Sequence, residues 1–89
     1  MAANPFHLQF LTPGNGLFDG PVLAVTLPGE WGEMQVFAGH IPLLTRLVPG
    51  VLLIHHPDGR AQKYQIEDGF ARIAWDNVCV LADDARECV

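Results

Sequence analysis

VLLIHHPDGRAQKYQIEDGFARIAWDNVCVLA, residues 51–82, reads as four short strands joined by turns. Val51 to His56 is apolar at first and then polar. Pro57-Asp58-Gly59 follows, and an Asp-Gly pair between apolar runs suits a tight hairpin in which both turn positions take positive φ. Arg60 to Glu67 alternates, with Tyr64 and Ile66 on one face. Phe70 to Trp75 and Val78 to Ala82 flank Asp76-Asn77, a second two-residue hairpin signal. Two adjacent hairpins make a meander, and a meander implies an antiparallel sheet.

Working outward, seven Pro and nine Gly are spread along the chain and cut it into short β-branched or aromatic segments, with no gap for a helix of ordinary length. Phe6 to Thr12 sets Phe6, Leu8 and Phe10 against His7, Gln9 and Leu11 until Pro13 and Gly14 stop it. Gly16 to Leu27 is a strand interrupted near Gly20 and Pro21, where the missing amide demands a bulge or an edge position. Pro28 and Gly29 turn the chain, Met34 to Phe37 is a short strand, and Leu43 to Val48 follows the loop 38–42. The expected fold is all-β, a flattened antiparallel β-sandwich or barrel in one domain spanning residues 1–89. Phe10, Leu27, Val36, Leu53, Ile66, Phe70 and Val80 are expected inside. An Asp at the start of 83–88 has the chemistry to cap a short helical turn.

The 89 residues carry a formal charge of −5, and only five Lys and Arg. That excludes the clustered basic surface on which nucleic-acid binding depends. Charged residues make up 17% and hydrophobic ones 49%, too apolar for disorder and suited to a chain that meets a partner. No apolar run is long enough for a membrane helix. Cys79 and Cys88 come too few and too late to build a disulfide framework and read as free thiols.

No catalytic set emerges. Lys63 is the only lysine and lies in a strand pattern, away from any Gly-rich turn, which removes a phosphate-binding loop. His55 and His56 are adjacent and point to opposite faces of a strand, a poor geometry for joint metal ligation. No metal and no cofactor is expected. A carrier domain of the biotinyl or lipoyl kind needs a lysine at a hairpin tip, and the tips here read Asp58-Gly59 and Asp76-Asn77.

The stretch LPGEWGEMQVFAGHIPLLTRL, Leu27 to Leu47, is the one whose composition exceeds what a connecting turn requires. A turn explains its Pro and Gly, and solubility explains Glu30 and Glu33, but neither explains Trp31. Here the chain resembles the N-terminal domain of the ATP synthase epsilon family, in which P-G-x-x-G-E is followed by G-H-x-P-L-L-T. The matching residues are Pro28, Gly29, Gly32, Glu33, Gly39, His40, Pro42, Leu43, Leu44 and Thr45. Support continues through Leu17-Phe18-Asp19-Gly20, Pro49-Gly50-Val51-Leu52, Gly69-Phe70 and 77–83. Ala38, Gln35 and Asp68 depart from the family's usual residues.

The resemblance implies a non-catalytic subunit of the central stalk, turning with the rotor of an F-type ATP synthase. It would link the gamma subunit to the membrane c-ring and touch the membrane only through that ring, on its cytoplasmic face. By position, Glu30, Trp31, Gly32 and Glu33 match the ring-contacting loop, where the carboxylates would engage ring arginines. Thr12, His40 and Thr45 match positions near gamma. Longer family members continue into two helices that inhibit ATP hydrolysis or bind ATP, and no such helices follow within these residues. A stand-alone protein-interaction or carrier β-domain is the alternative.

Overall fold

The computed structural model describes residues 4–88. Ten strands account for its regular structure: β1 Phe6–Thr12, β2 Asn15–Val22, β3 Ala24–Gly29, β4 Gly32–Val36, β5 Leu43–Leu47, β6 Gly50–His55, β7 Ala61–Ile66, β8 Gly69–Ile73, β9 Asn77–Ala82 and β10 Ala85–Cys88. Hydrogen bonding links them in the order β10-β7-β6-β3-β5-β8-β9-β1-β2, with β4 on the other edge of β3.

The sheet is curled back on itself. β7 and β1 stand six places apart in that order, which in a flat sheet would separate them by roughly 29 Å at about 4.8 Å per strand. Yet the Phe10 ring meets the Tyr64 ring edge-on with centroids 5.0 Å apart, and Phe18 of β2 meets His56 in the same way at 5.3 Å. The two halves, β4-β3-β6-β7-β10 and β5-β8-β9-β1-β2, therefore enclose a shared core of Phe6, Leu8, Phe10, Val22, Val25, Leu27, Val36, Leu47, Leu52, Ile54, Tyr64, Ile66, Ile73, Val78 and Val80, among others. The alternation of the first strand is realised as read: Phe6, Leu8 and Phe10 are buried and His7 faces out.

Two places join the halves. At Leu23 the chain passes from β2 to β3, and its N–H donates to the His55 carbonyl at 2.8 Å. Thus the long interrupted segment expected from Gly16 to Leu27 is two strands in two halves. At the second joint β3 and β5 share one residue pair, Gly29 with Leu47, flanked by Glu30 N–H to Arg46 C=O at 2.9 Å and Val48 N–H to Pro28 C=O at 2.9 Å. Pro21 sits on β2, which pairs only with β1, so its missing amide faces no ladder. A bulge falls nearby, where Phe10 pairs Phe18 but Leu11 pairs Gly16.

Several expectations are corrected. β1 and β9 run parallel within an otherwise antiparallel sheet, a long-range pairing that no local pattern encodes. Pro28 and Gly29 do not turn the chain: they remain in β3 paired to Glu33 and Gly32, and the reversal is Glu30–Trp31. In the 57–59 hairpin only Gly59 has positive φ, 93°. Gly59 N–H donates to the His56 carbonyl at 3.1 Å and His56 N–H to the Arg60 carbonyl at 2.8 Å, so Pro57 and Asp58 form the ordinary turn that Pro favours. The next hairpin closes over Trp75–Asp76, one residue earlier than Asp76-Asn77, with Ala74 N–H on the Asn77 carbonyl at 2.8 Å.

Phe70 is 55% exposed. Gly69 takes the inward position, approaching β9 so closely that a Cβ there would lie 2.3 Å from the Leu81 carbonyl oxygen, and this sets Phe70 outward. Leu53 is half-buried on the outward phase of β6. In place of a helical turn over 83–88, Ala85–Cys88 is strand β10 against β7, because pairing along the open edge of β7 satisfies more backbone groups than one isolated turn. Cys79 and Cys88 are free thiols.

Candidate docking surfaces

Glu30 and Trp31 form the tip of the β3–β4 hairpin, held between the paired Gly29 and Gly32. Gly32 has φ of 128°, a backbone conformation that side-chain-bearing residues rarely adopt. The chain thereby reverses over two residues whose side chains stay free. Trp31 is 94% exposed, and among the described residues no hydrogen bond or ion pair engages the Glu30 or Glu33 carboxylate.

A cleft of about 400 Å³ lies beside this tip, lined by Gly29 to Met34 on one wall and Leu43 to Arg46 on the other. It exists because β5 pairs along its length with β8 but meets β3 only at Leu47. Arg46 turns its carbonyl toward β3, and by the two-residue repeat of a strand Leu44 directs its N–H and C=O to the same side. There no strand lies beside it among the described residues.

The residues expected near gamma are not gathered at one point. Thr45 lines the cleft together with Glu30, Trp31, Gly32 and Glu33. Thr12 ends β1, its Oγ1 donating to the Asn15 carbonyl at 3.5 Å. Following the pairings from Thr12's neighbour Leu11 through Leu81 and Phe70 to Arg46 places Thr12 at the same end of its half as the Glu30–Trp31 tip. His40 lies at the other end, in the loop before β5, its Nδ1 hydrogen-bonded to the Ile41 carbonyl at 2.7 Å. Gly39 N–H ties that loop to the Trp75 carbonyl at 2.7 Å.

What connects these positions is a face the sequence reading did not single out. Outward residues of β5, β8, β9 and β1 align in rows: Arg46, Phe70, Leu81 and Leu11 in one, Leu44, Arg72, Cys79 and Gln9 in the next. Leu44 is 69% exposed and Leu81 45%, so together with Phe70 they leave an apolar strip with two arginines in it. Phe37, Ile41 and Trp75 extend exposed apolar surface toward the His40 end. The available signal was double-phase hydrophobicity, since Leu43-Leu44, Phe70-Ala71 and Val80-Leu81 are apolar on both faces of strands with only one face toward the core.

The histidines do not assemble a metal site: no group of three or more potential ligands occurs among the described residues. His56 is buried and its Nε2 is 2.9 Å from Gln62 Oε1. Gln62 Nε2 in turn donates to the Tyr64 hydroxyl at 3.0 Å and to Glu87 at 2.9 Å. Burial, reinforced by the Glu87 charge, raises the Tyr64 hydroxyl above its ordinary value of 10.0 despite the Gln62 hydrogen bond.

This fold, with a fixed acidic tip and an apolar outer face, corresponds to a known family. The profile described as ATP synthase, Delta/Epsilon chain, beta-sandwich domain matches residues 5–87, and the chain belongs to that family. Within it, similar proteins are ATP synthase epsilon chains: that of Dichelobacter nodosus is 31% identical over 83 residues, covering 93% of this chain and 58% of the relative. That of Brucella anthropi is 35% identical over 83 residues, covering 93% and 62%. The chain thus spans about three fifths of the length of these curated relatives. Among solved structures, a chain of the Euglena gracilis mitochondrial ATP synthase, OSCP/F1/c-ring, superposes with a TM-score of 0.89 at 29% identity, over 93% of this chain and 53% of that one. A chain of the Tetrahymena thermophila mitochondrial ATP synthase central stalk and c-ring shares the fold, with a TM-score of 0.76 at 16% identity, over 97% and 69%.

Proposed function

We propose that this domain is a non-catalytic rotor part of an F-type ATP synthase, joining the gamma subunit to the c-ring and so helping couple ion translocation to ATP synthesis. It would sit peripherally on the cytoplasmic side of the membrane, held there through the ring. No helix among the described residues is long and apolar enough to cross a membrane. The observation that carries the reading is the separation of two unsatisfied surfaces on one stiff sheet. The acidic Glu30 to Glu33 tip occupies one end, and the exposed Phe70 and Leu81 occupy an outer side.

A coupling element needs two attachments held at fixed geometry, and the curled sheet supplies that. The tip would meet the ring's arginines through Glu30 and Glu33. The strip would meet gamma, with Arg46 and Arg72 set among its apolar side chains and with Thr12, His40 and Thr45 around its border. Replacing Phe70 and Leu81 with Asp should lower affinity for gamma by a factor of about thirty or more, the scale of a lost apolar anchor. Both side chains are exposed, so the circular dichroism spectrum should not change. Gamma binding at undiminished affinity by the double variant, measured by calorimetry, would show that this strip is not the attachment.

These 89 residues, by themselves, should neither bind ATP nor inhibit ATP hydrolysis, since the described part is strand and turn throughout. Titration with ATP and ATPase rates of the catalytic head with and without the added chain test this. Saturable binding at millimolar ATP, or strong inhibition, would contradict it.

A further inference from the structure

β2 and the β6–β7 turn face each other across a cavity of about 340 Å³. Among the described residues no backbone hydrogen bond joins these two walls; they meet where the Phe18 ring stands edge-on to His56. His56 is 7% exposed, and the hydrogen bonds beside it fix where its proton lies. An ionised carboxylate only accepts, so the Gln62 group that faces Glu87 at 2.9 Å is the amide nitrogen, which also donates to the Tyr64 hydroxyl. The Gln62 oxygen is left to face His56 Nε2 at 2.9 Å, which places the imidazole proton on Nε2. The neutral ring therefore keeps a lone pair on Nδ1, and no donor among the described residues meets it. The two carboxylates of the cavity differ. Asp58 spends both oxygens on Arg60. Asp19 gives Oδ1 to His7 Nε2, a partner that carries charge only when protonated, and keeps Oδ2 open. The inner polar groups left open are thus acceptors, set among the flat apolar surfaces of Phe18, Pro21 and Pro57.

We propose that this cavity is a binding site for a small primary amine with a flat apolar body. The ammonium donates to Asp19 Oδ2 and to His56 Nδ1, and the body lies against Phe18 and the two prolines. A wholly apolar ligand would leave both acceptors unmet in a closed cavity, which costs binding energy. The cavity shares no residue with the cleft beside the β3–β4 tip or with Phe70 and Leu81, so its occupant competes with neither docking surface. By bridging two walls that the backbone leaves unjoined, the ligand stiffens the seam of the curled sheet, which is the position of an effector.

The test titrates the 89-residue chain with phenethylamine at neutral pH and follows it by NMR. Amide signals of Phe18 to Gly20 and of His56 to Arg60 should shift and saturate at about millimolar amine, the affinity suited to so small a ligand. Phenylpropionate, of similar shape and opposite charge, should bind at least about tenfold more weakly; it is included because the terminal nitrogens of Arg60 have no partner among the described residues. Asp19→Asn should weaken the amine roughly fivefold, the scale of an exposed ion pair. Gly20→Leu should abolish binding: a Cβ there makes only ordinary contact with the Phe18 ring, at 3.5 Å, so the backbone accepts the side chain and the cavity is filled. The ring nitrogens of His56 should show Nδ1 bare in the free chain and hydrogen-bonded when the amine is present. Equal binding of amine and acid, undiminished binding by a folded Gly20→Leu chain, or a His56 proton on Nδ1 in the free chain would overturn the proposal. Should Gly20→Leu not fold, Asp19→Asn decides, and binding unchanged by it removes the site. Shifts that spread to Glu30 and Glu33 without saturating would show only a cation drawn to an acidic chain, which also overturns it.

Discussion

Two hairpin tips of this sheet each set an acidic residue beside a glycine, Asp58-Gly59 and Gly29-Glu30, and behave in opposite ways. In the β6–β7 turn, Pro57-Asp58-Gly59, the Asp58 carboxylate accepts the Arg60 backbone N–H at 2.9 Å and the Arg60 Nε–H at 2.7 Å. The backbone hydrogen bond chiefly, and the guanidinium after it, hold Asp58 below its ordinary value of 3.8. In the β3–β4 turn, Glu30 and Glu33 have no such partner among the described residues and Trp31 covers nothing. A turn that satisfies its own polar groups serves the fold. One that leaves an aromatic ring and two charges open is, on the proposed reading, the one offered to another molecule, because solubility accounts for the charges but not for an exposed Trp31.

The comparison predicts opposite profiles for variants of the two turns. The largest effect should come from Glu30→Arg/Glu33→Arg: attachment to the ring falls by about a hundredfold or more through like-charge contacts, while the melting temperature hardly moves. Gly59→Ala should do the reverse. Forcing an alanine to a φ of 93° costs about 1–2 kcal/mol, a loss of several degrees in Tm, with attachment unchanged. A Gly59 variant that detached from the ring would break the division between the turns.

Smaller effects concern pH. Tyr64 is raised by burial and by Glu87, so its contribution to stability is complete below the unfolded value near 10 and is lost as pH rises from there through the folded value. Tyr64→Phe keeps the ring against Phe10 and should flatten this alkaline limb in denaturant melts between pH 8 and 11. Equal slopes for the two chains would refute the assignment. Asp58 has the opposite sign: its folded value is lowered, so its contribution holds above pH 3.8 and disappears as pH falls. Asp58→Asn should therefore cost a little stability at neutral pH and less in acid.

The sheet was legible where Gly and Pro punctuate alternating runs. Phe6, Leu8 and Phe10 faced inward as their spacing required, and the 57–59 hairpin formed where Asp-Gly marked it. Legibility ended where distant segments decide. The parallel pairing of β1 with β9 depends on residues some seventy positions apart. Phe70 looked like core until Gly69's contact with β9 fixed the phase of its strand. The Asp at 83 advertised a helix cap, but the open edge of β7 claimed the segment for β10. For the candidate surfaces, the family-like motif located the tip, and Thr45 joined it in one cleft. The apolar strip was missed because a strand apolar on both faces resembles one buried on both sides.

The central claim is that one stiff domain holds two partners by two separable surfaces. The direct test is to purify a tagged chain from cells making the complete synthase and measure how much gamma and how much ring accompany it. The account predicts both with the unaltered chain. When the isolated chain is offered each partner separately, Glu30→Arg/Glu33→Arg should lose the ring and keep gamma, and Phe70→Asp/Leu81→Asp should lose gamma and keep the ring. Recovery of neither partner with the unaltered chain, or loss of both partners from either folded variant, would contradict it.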